Sequence, residues 1–264
     1  EQSLSSVEFQ GNSMNINLDH YVPLSKNNLL FAMEAILPLF VAYETLVFLH
    51  PWTATELGRA DPFTAGFLIG LGPHSLGIAY LFAAFLSYTS KGLEEERMNS
   101  APRPLFVLVA ALEGALPAIL IAAVAYSLLP HWAAFLPPDK SSFVGTSLAL
   151  GTGLSEELIF RFFLQGGLTL IFREVVSLNK NQAQNISLFL AALGVATAHH
   201  LGPVGAPFVL EEFLFRLLVP GLLLGYLYNL RGLAFVTYFH SIYHLTWVAL
   251  PGLEHLLIRT FTEG

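Results

Sequence analysis

The sequence predicts an all-α fold: a polytopic bundle of about seven transmembrane helices, six to eight, with a polar site inside it. Three observations lead there. The 264-residue chain is 54% hydrophobic and only 12% charged, with a mean hydropathy of +0.60, whereas soluble domains carry roughly 25% charged residues. Apolar runs close to the ~20 residues that cross a bilayer recur along its whole length. In the middle of one run stand two adjacent glutamates, Glu156 and Glu157, with Arg161 one turn later. An ionisable group inside a membrane span is costly and by default marks a functional site.

The apolar runs place helices over 29–49, 63–88, 104–129, 143–172, 186–201, 208–230 and 232–251. The fifth is short, and the Gly- and Pro-rich stretch after it, 201–207, suits a re-entrant loop. Segments 131–142 (with Trp132, Pro137 and Pro138) and 253–262 read as interfacial. The first apolar run is too long for a signal-peptide core and follows a polar stretch, so no cleavable leader is expected. Residues 1–13 are polar and are expected to be a disordered extension outside the fold. Residues 14–264 then form a single membrane-embedded domain, with its motifs in about 143–250.

Basic loop residues set the orientation. Lys26, Lys91, Arg97, Arg103, Arg173, Lys180 and Arg231 fall on one side, and Arg59, Lys140 and Arg259 on the other. The N-terminus is therefore expected in the cytoplasm, and the chain in a bacterial cytoplasmic membrane with lipids as its surroundings. The net charge of -7 offers nothing to nucleic acid. The absence of cysteine excludes disulfides, thiolate nucleophiles and Cys-ligated zinc.

The fourth run carries the chemistry. Glu157 and Arg161 are i,i+4 neighbours and can pair. Glu156 lies about 100° further round the helix and escapes that pair. A carboxylate left over in a dry site is a candidate general base. The fifth run ends Ala198-His199-His200, and the seventh holds His240 and His244 on one face. At 1.5 Å per residue, Glu156 and His199 each sit about 20 Å from one end of their helices and His240 about 12 Å from one end of its own. All three can converge on the cytoplasmic side of the midplane. A carboxylate and imidazoles can bind and deprotonate a water, and the remaining donors can hold an oxyanion. That is amide hydrolysis without a covalent intermediate.

Glu-Glu-x-x-x-Arg, a helix ending Ala-His, and a later His-x-x-x-(Asn/Asp) position resemble the CAAX-protease and bacteriocin-processing (Rce1-like) family of glutamate-type intramembrane proteases. The resemblance covers about residues 143–250. It implies that Glu156 and His199 activate water, that Glu157 and Arg161 support the site, and that His240 and position 244 hold the oxyanion. It implies no cofactor and no metal. The substrate would be a membrane-associated protein or peptide cut near its terminus: a prenylated CAAX tail, a leader or a sorting anchor.

This chain departs from the family pattern in two places. Val195 stands four residues before His199, where the family has Phe, so Ala198 is what selects His199 over His200. His244 stands where Asn or Asp is usual. A second Glu-Glu-x-x-x-Arg is formed by Glu211, Glu212 and Arg216. Glu212 and Arg216 can pair across one turn, while Glu211 could line a cleft. His200 and this second motif are secondary candidates. Gly221 and Gly225 form a Gly-x-x-x-Gly that suits close helix packing.

Other readings compete. His240, His244 and Glu156 or His199 are the ligand types of a zinc protease. Buried carboxylates and histidines also serve proton-coupled transporters, and a buried polar network can simply brace a non-catalytic scaffold.

Overall fold

A computed structural model describes residues 29–49, 75–89, 103–128, 142–200 and 208–262. Among the described residues every regular element is helical, in seven continuous rods. The first three are α1 (Leu29–Leu49), α2 (Ser75–Thr89) and α3 (Arg103–Leu128). The fourth starts as α4 (Ser142–Glu156), widens into a π-helical stretch, π1 (Glu157–Gly166), and ends as α5 (Gly167–Glu174). The fifth is α6 (Lys180–Ala198). The sixth repeats the pattern of the fourth as α7 (Leu210–Arg216), π2 (Leu217–Leu223) and α8 (Leu224–Arg231). The last is α9 (Leu233–Thr262).

The seven rods answer the seven apolar runs, with differences that have physical causes. The rod of α6 begins six residues before the expected 186. Asn179 caps it, its side-chain oxygen accepting the Gln182 N–H at 3.0 Å, so a polar first turn is helical although it is not apolar. The last rod runs through Pro251 to Thr262, where a break near 251 and a separate interfacial tail were expected. The second rod is described from Ser75 onward; residues 63–74, the interfacial stretch 131–141, the loop 201–207 and the N-terminal extension lie outside the described residues.

Among the described residues, three helices are long and apolar enough to cross a membrane: Leu29–Leu49, Pro104–Ala125 and Leu210–Arg231. A shorter apolar helix covers Leu76–Tyr88. The other rods fall short of that measure for a reason tied to the site. Residues 142–161 mix Ser, Thr and Gly with the two glutamates and Arg161, α6 has its polar first turn, and α9 carries His240 and His244.

The burial pattern is inverted relative to a water-soluble bundle. Leu108, Leu112, Leu116 and Leu120 form an exposed stripe along α3, and Ile78, Phe82 and Phe85 one along α2. Ser147, Thr152, Ser155, Glu156, Glu157, Arg161 and Gln165, all on the fourth rod, are buried. Large contiguous apolar surfaces are rare on soluble monomers; with polar groups turned inward, they suit lipid. The chain is an integral membrane protein.

Helix α9 runs through the middle of the bundle, packed on α3 and α4. Small residues let the backbones approach. A Cβ at Gly153 would lie 2.6 Å from both the Cα and the N of Ser241, so only glycine admits α9 at this distance. Gly221 and Gly225 play the expected packing role against α6, where a Cβ would press on Ala192 and Leu188 respectively. The turn from α8 into α9 is made at Gly232, whose φ of 84° favours glycine. Its N–H closes the helix end on the Tyr228 carbonyl at 2.8 Å.

Candidate active site

The Gly153–Ser241 contact brings two consecutive carboxylates of the fourth rod against the residue preceding Ser241, which is His240. Glu156 is the last residue of α4 and Glu157 the first of π1. π-Helical turns are uncommon and concentrate at functional sites. Here the wider turn begins where two adjacent acidic side chains must face different partners.

Glu156 meets His199. The Nε2 of His199 lies 3.3 Å from the Glu156 Oε1, with His199 fully buried. The end of α6 explains the ring's orientation. His199 is the C-cap of that helix, and the carbonyls of a last turn have no partner within the helix. The Nδ1 of His199 turns back to one of them, Val195, at 2.7 Å. A carbonyl only accepts, so Nδ1 carries the proton. The Nε2 faces the Glu156 carboxylate at hydrogen-bonding distance, so the two side chains form one buried polar pair.

Glu157 meets two partners. Its Oε2 is 3.3 Å from the Arg161 Nε, a charge pair without a well-aligned hydrogen bond. Its Oε1 accepts from His240 Nδ1 at 2.8 Å. The sequence paired Glu157 with Arg161 alone and left His240 to an oxyanion. In the structure His240 Nδ1 is committed to Glu157, which leaves Nε2 as the ring atom not used in that pair. One turn on, His244 stacks against His240 with ring centroids 4.9 Å apart.

Arg161 also reaches across to the sixth rod, where it donates to the Pro220 carbonyl. That carbonyl is available because of π2. The Leu224 N–H, which a regular α-helix would aim at residue 220, goes to Val219 and Gly221 instead. Proline removes an N–H from this rod and crowds the preceding turn, which suits the widened geometry. Gln165, two turns beyond Glu157 on the same face, is fully buried and donates to the Gly225 carbonyl at 3.0 Å and to Asn229 Oδ1 at 3.1 Å. Sequence reading missed Gln165, although the spacing 157, 161, 165 was the signal for it. The Val195 and Pro220 carbonyls leave no signal in side-chain identity.

The secondary candidates sit elsewhere. Arg216 Nε donates to Glu212 Oε1 at 2.9 Å, with both residues buried, while Glu211 is exposed. His200 packs against Phe208 and Phe213, not on the Glu156 carboxylate. Glu113 forms an ion pair with Arg231. Among the described residues no group of three His, Cys, Asp or Glu side chains is arranged to hold a metal ion.

Residues 138–246 match the family of Rce1-like type II CAAX prenyl endopeptidases. No curated protein and no solved structure matches the chain. The matched stretch begins just before α4 and ends within α9, taking in every residue of the Glu156–His199 and Glu157–His240 pairs and leaving the first three rods outside. Over that stretch, somewhat less than half of the chain, the sequence is similar to the Rce1-like family of CAAX prenyl endopeptidases.

Proposed function

We propose that the protein is a glutamate-dependent intramembrane endopeptidase that cuts a membrane-associated protein or peptide near its terminus. The observation that carries this reading is the approach of His199 Nε2 to the Glu156 carboxylate at 3.3 Å in a buried site. A water held beside the pair and donating to the Glu156 carboxylate is polarised toward hydroxide. Glu156 takes the proton, and the oxygen adds to the scissile carbonyl. His240, as the imidazolium whose charge Glu157 compensates, donates from Nε2 to the oxyanion, and His244 donates beside it. The proton then passes to the amide nitrogen, the C–N bond breaks, and a carboxylic acid and an amine leave. No covalent intermediate is needed.

Glu157 and Arg161 hold the frame. Arg161 ties the fourth rod to the sixth through Pro220, and Glu157 fixes the ring orientation of His240. The family match supports a peptidase and a CAAX-type tail as one substrate class; a leader or a sorting anchor fits the same chemistry. The distribution of Lys and Arg supports a cytoplasmic N-terminus, with the site toward that side.

The test is terminal proteomics on membranes from cells carrying the wild type or Glu156→Gln. Uncut precursors sharing a tail should accumulate in the variant, and the tail names the substrate. Unchanged termini, with the variant expressed and inserted, sink the proposal and favour a scaffold or transporter.

A further inference from the structure

The residue after His199 has a different environment from its neighbour. Both ring nitrogens of His200 are buried, and among the described residues neither has a hydrogen-bond partner. An imidazole always carries at least one N–H, and in the neutral ring one lone pair as well. Burying both unmatched costs free energy that the described neighbours do not return, and such a group in a folded protein calls for an explanation.

Three rings enclose this spot. The His200 centroid is 5.4 Å from that of Phe208 and 6.1 Å from that of Phe213, and the two phenyl rings are 5.6 Å apart. Phe208 is 65% exposed, so the cluster is open on that side. Phe213 is held by its place in the first turn of the sixth rod, its N–H on the Val209 carbonyl at 2.9 Å. The preceding residue, Glu212, is locked to Arg216. The second Glu-Glu-x-x-x-Arg thus has work to do here: its ion pair fixes the helix turn that carries one wall of the cluster.

We propose that His200, Phe208 and Phe213 form a substrate subsite beside the scissile bond. The rings receive an apolar or aromatic side chain, and the imidazole receives the adjoining peptide unit. A peptide unit offers one N–H and one C=O, matching the donor and acceptor of the ring. Aromatic walls supply apolar contact with preferred ring geometry. His200 follows directly on His199, so the cluster is anchored at the same helix end as the Glu156–His199 pair. This inference rests on the peptidase reading above.

The test uses His200→Phe, which keeps a ring in the cluster and removes both nitrogens, and Phe213→Ala, which removes a wall. The probes are peptides spanning the cut site of a precursor that accumulates with Glu156→Gln, with the residue on either side of the cut changed to Ala, Leu, Phe or Asp. Purified His200→Phe should melt at or above the wild-type temperature, because it sheds two unmatched polar atoms. Its KM should rise roughly tenfold, the loss of one or two hydrogen bonds, with kcat changed less. Phe213→Ala should flatten the preference for Leu and Phe over Ala at one position.

A purely structural His200 gives the opposite result: His200→Phe melts lower or fails to accumulate folded, and the surviving enzyme keeps its KM. That result overturns the inference, as does an unchanged residue preference in Phe213→Ala, while the peptidase reading stands. If no precursor accumulates with Glu156→Gln, the peptidase reading itself falls and the subsite with it.

Discussion

Replacing Arg161 by methionine tests the frame of the site most directly. Glu157 is 0% exposed and Arg161 1%. Without the guanidinium, the Glu157 carboxylate stays in a dry interior with one hydrogen bond, from His240 Nδ1 at 2.8 Å. Removing one member of a buried pair costs about 3–5 kcal/mol, because the other charge is stranded. The Pro220 carbonyl also loses its donor, worth about 1–3 kcal/mol. The remaining His240 contact offsets part of this, so a net loss of about 3–5 kcal/mol is expected. Against a total stability of about 5–15 kcal/mol, that loss is large. Adding Glu157→Gln to Arg161→Met removes the stranded charge and should return about 2–3 kcal/mol, a coupling that a double-mutant cycle isolates. The assay is reversible unfolding of the purified protein in detergent for wild type, both single variants and the double. The reasoning is refuted if Arg161→Met is within about 1 kcal/mol of wild type, or if the double variant is no more stable than Arg161→Met.

Other substitutions separate chemistry from support. His199→Ala should lower cleavage by about 10²–10⁴-fold, the usual contribution of a positioned acid–base group, with membrane insertion intact; near-normal precursor processing would argue against the Glu156–His199 pair. His244→Asn should hold cleavage within about threefold, since an amide N–H donates as an imidazole N–H does. His244→Leu should lose about 10²–10³-fold as one oxyanion donor disappears, and equal rates for the two variants would remove His244 from that role. Gly153→Val should cost about 1–3 kcal/mol through overpacking and silence cleavage, because the added Cβ meets the Ser241 backbone at 2.6 Å beside His240. Wild-type melting and activity in that variant would contradict the described approach of α4 and α9.

Much of the architecture was legible because the length of an apolar run is a strong signal. The run at 29–49 is α1 itself, 104–129 is α3 shifted by one residue, and 208–230 is the sixth rod to within two. Hydropathy failed where a helix begins in polar residues, as at Asn179, and where it passes a proline, as at Pro251. The same reading put Glu156, Glu157, Arg161, His199 and His240 into one site, and the structure brings them together. The His240–Glu157 bond was not legible, since it joins residues 83 apart in sequence and needs the Gly153 contact to exist. The different surroundings of His199 and His200 became visible only with the end of α6, where the Val195 carbonyl takes one ring, which faces Glu156, and the other lies among phenylalanines.

The Pro220 carbonyl has a consequence for how this site tolerates improvement. A single oxygen is contested by two donors: the amide hydrogen that an ordinary helix would send it, and the Arg161 guanidinium that holds it now. Substituting alanine for Pro220 would make the sixth rod a better helix by every local measure. A more regular helix would let Leu224 reclaim the oxygen and evict the arginine, and with it the anchor of Glu157. The irregularity is therefore not a blemish awaiting repair. A change at this position acts on the helix and on the Arg161–Glu157 frame at once, and its effect on melting temperature is the difference between a helix made regular and a buried ion pair left without its anchor.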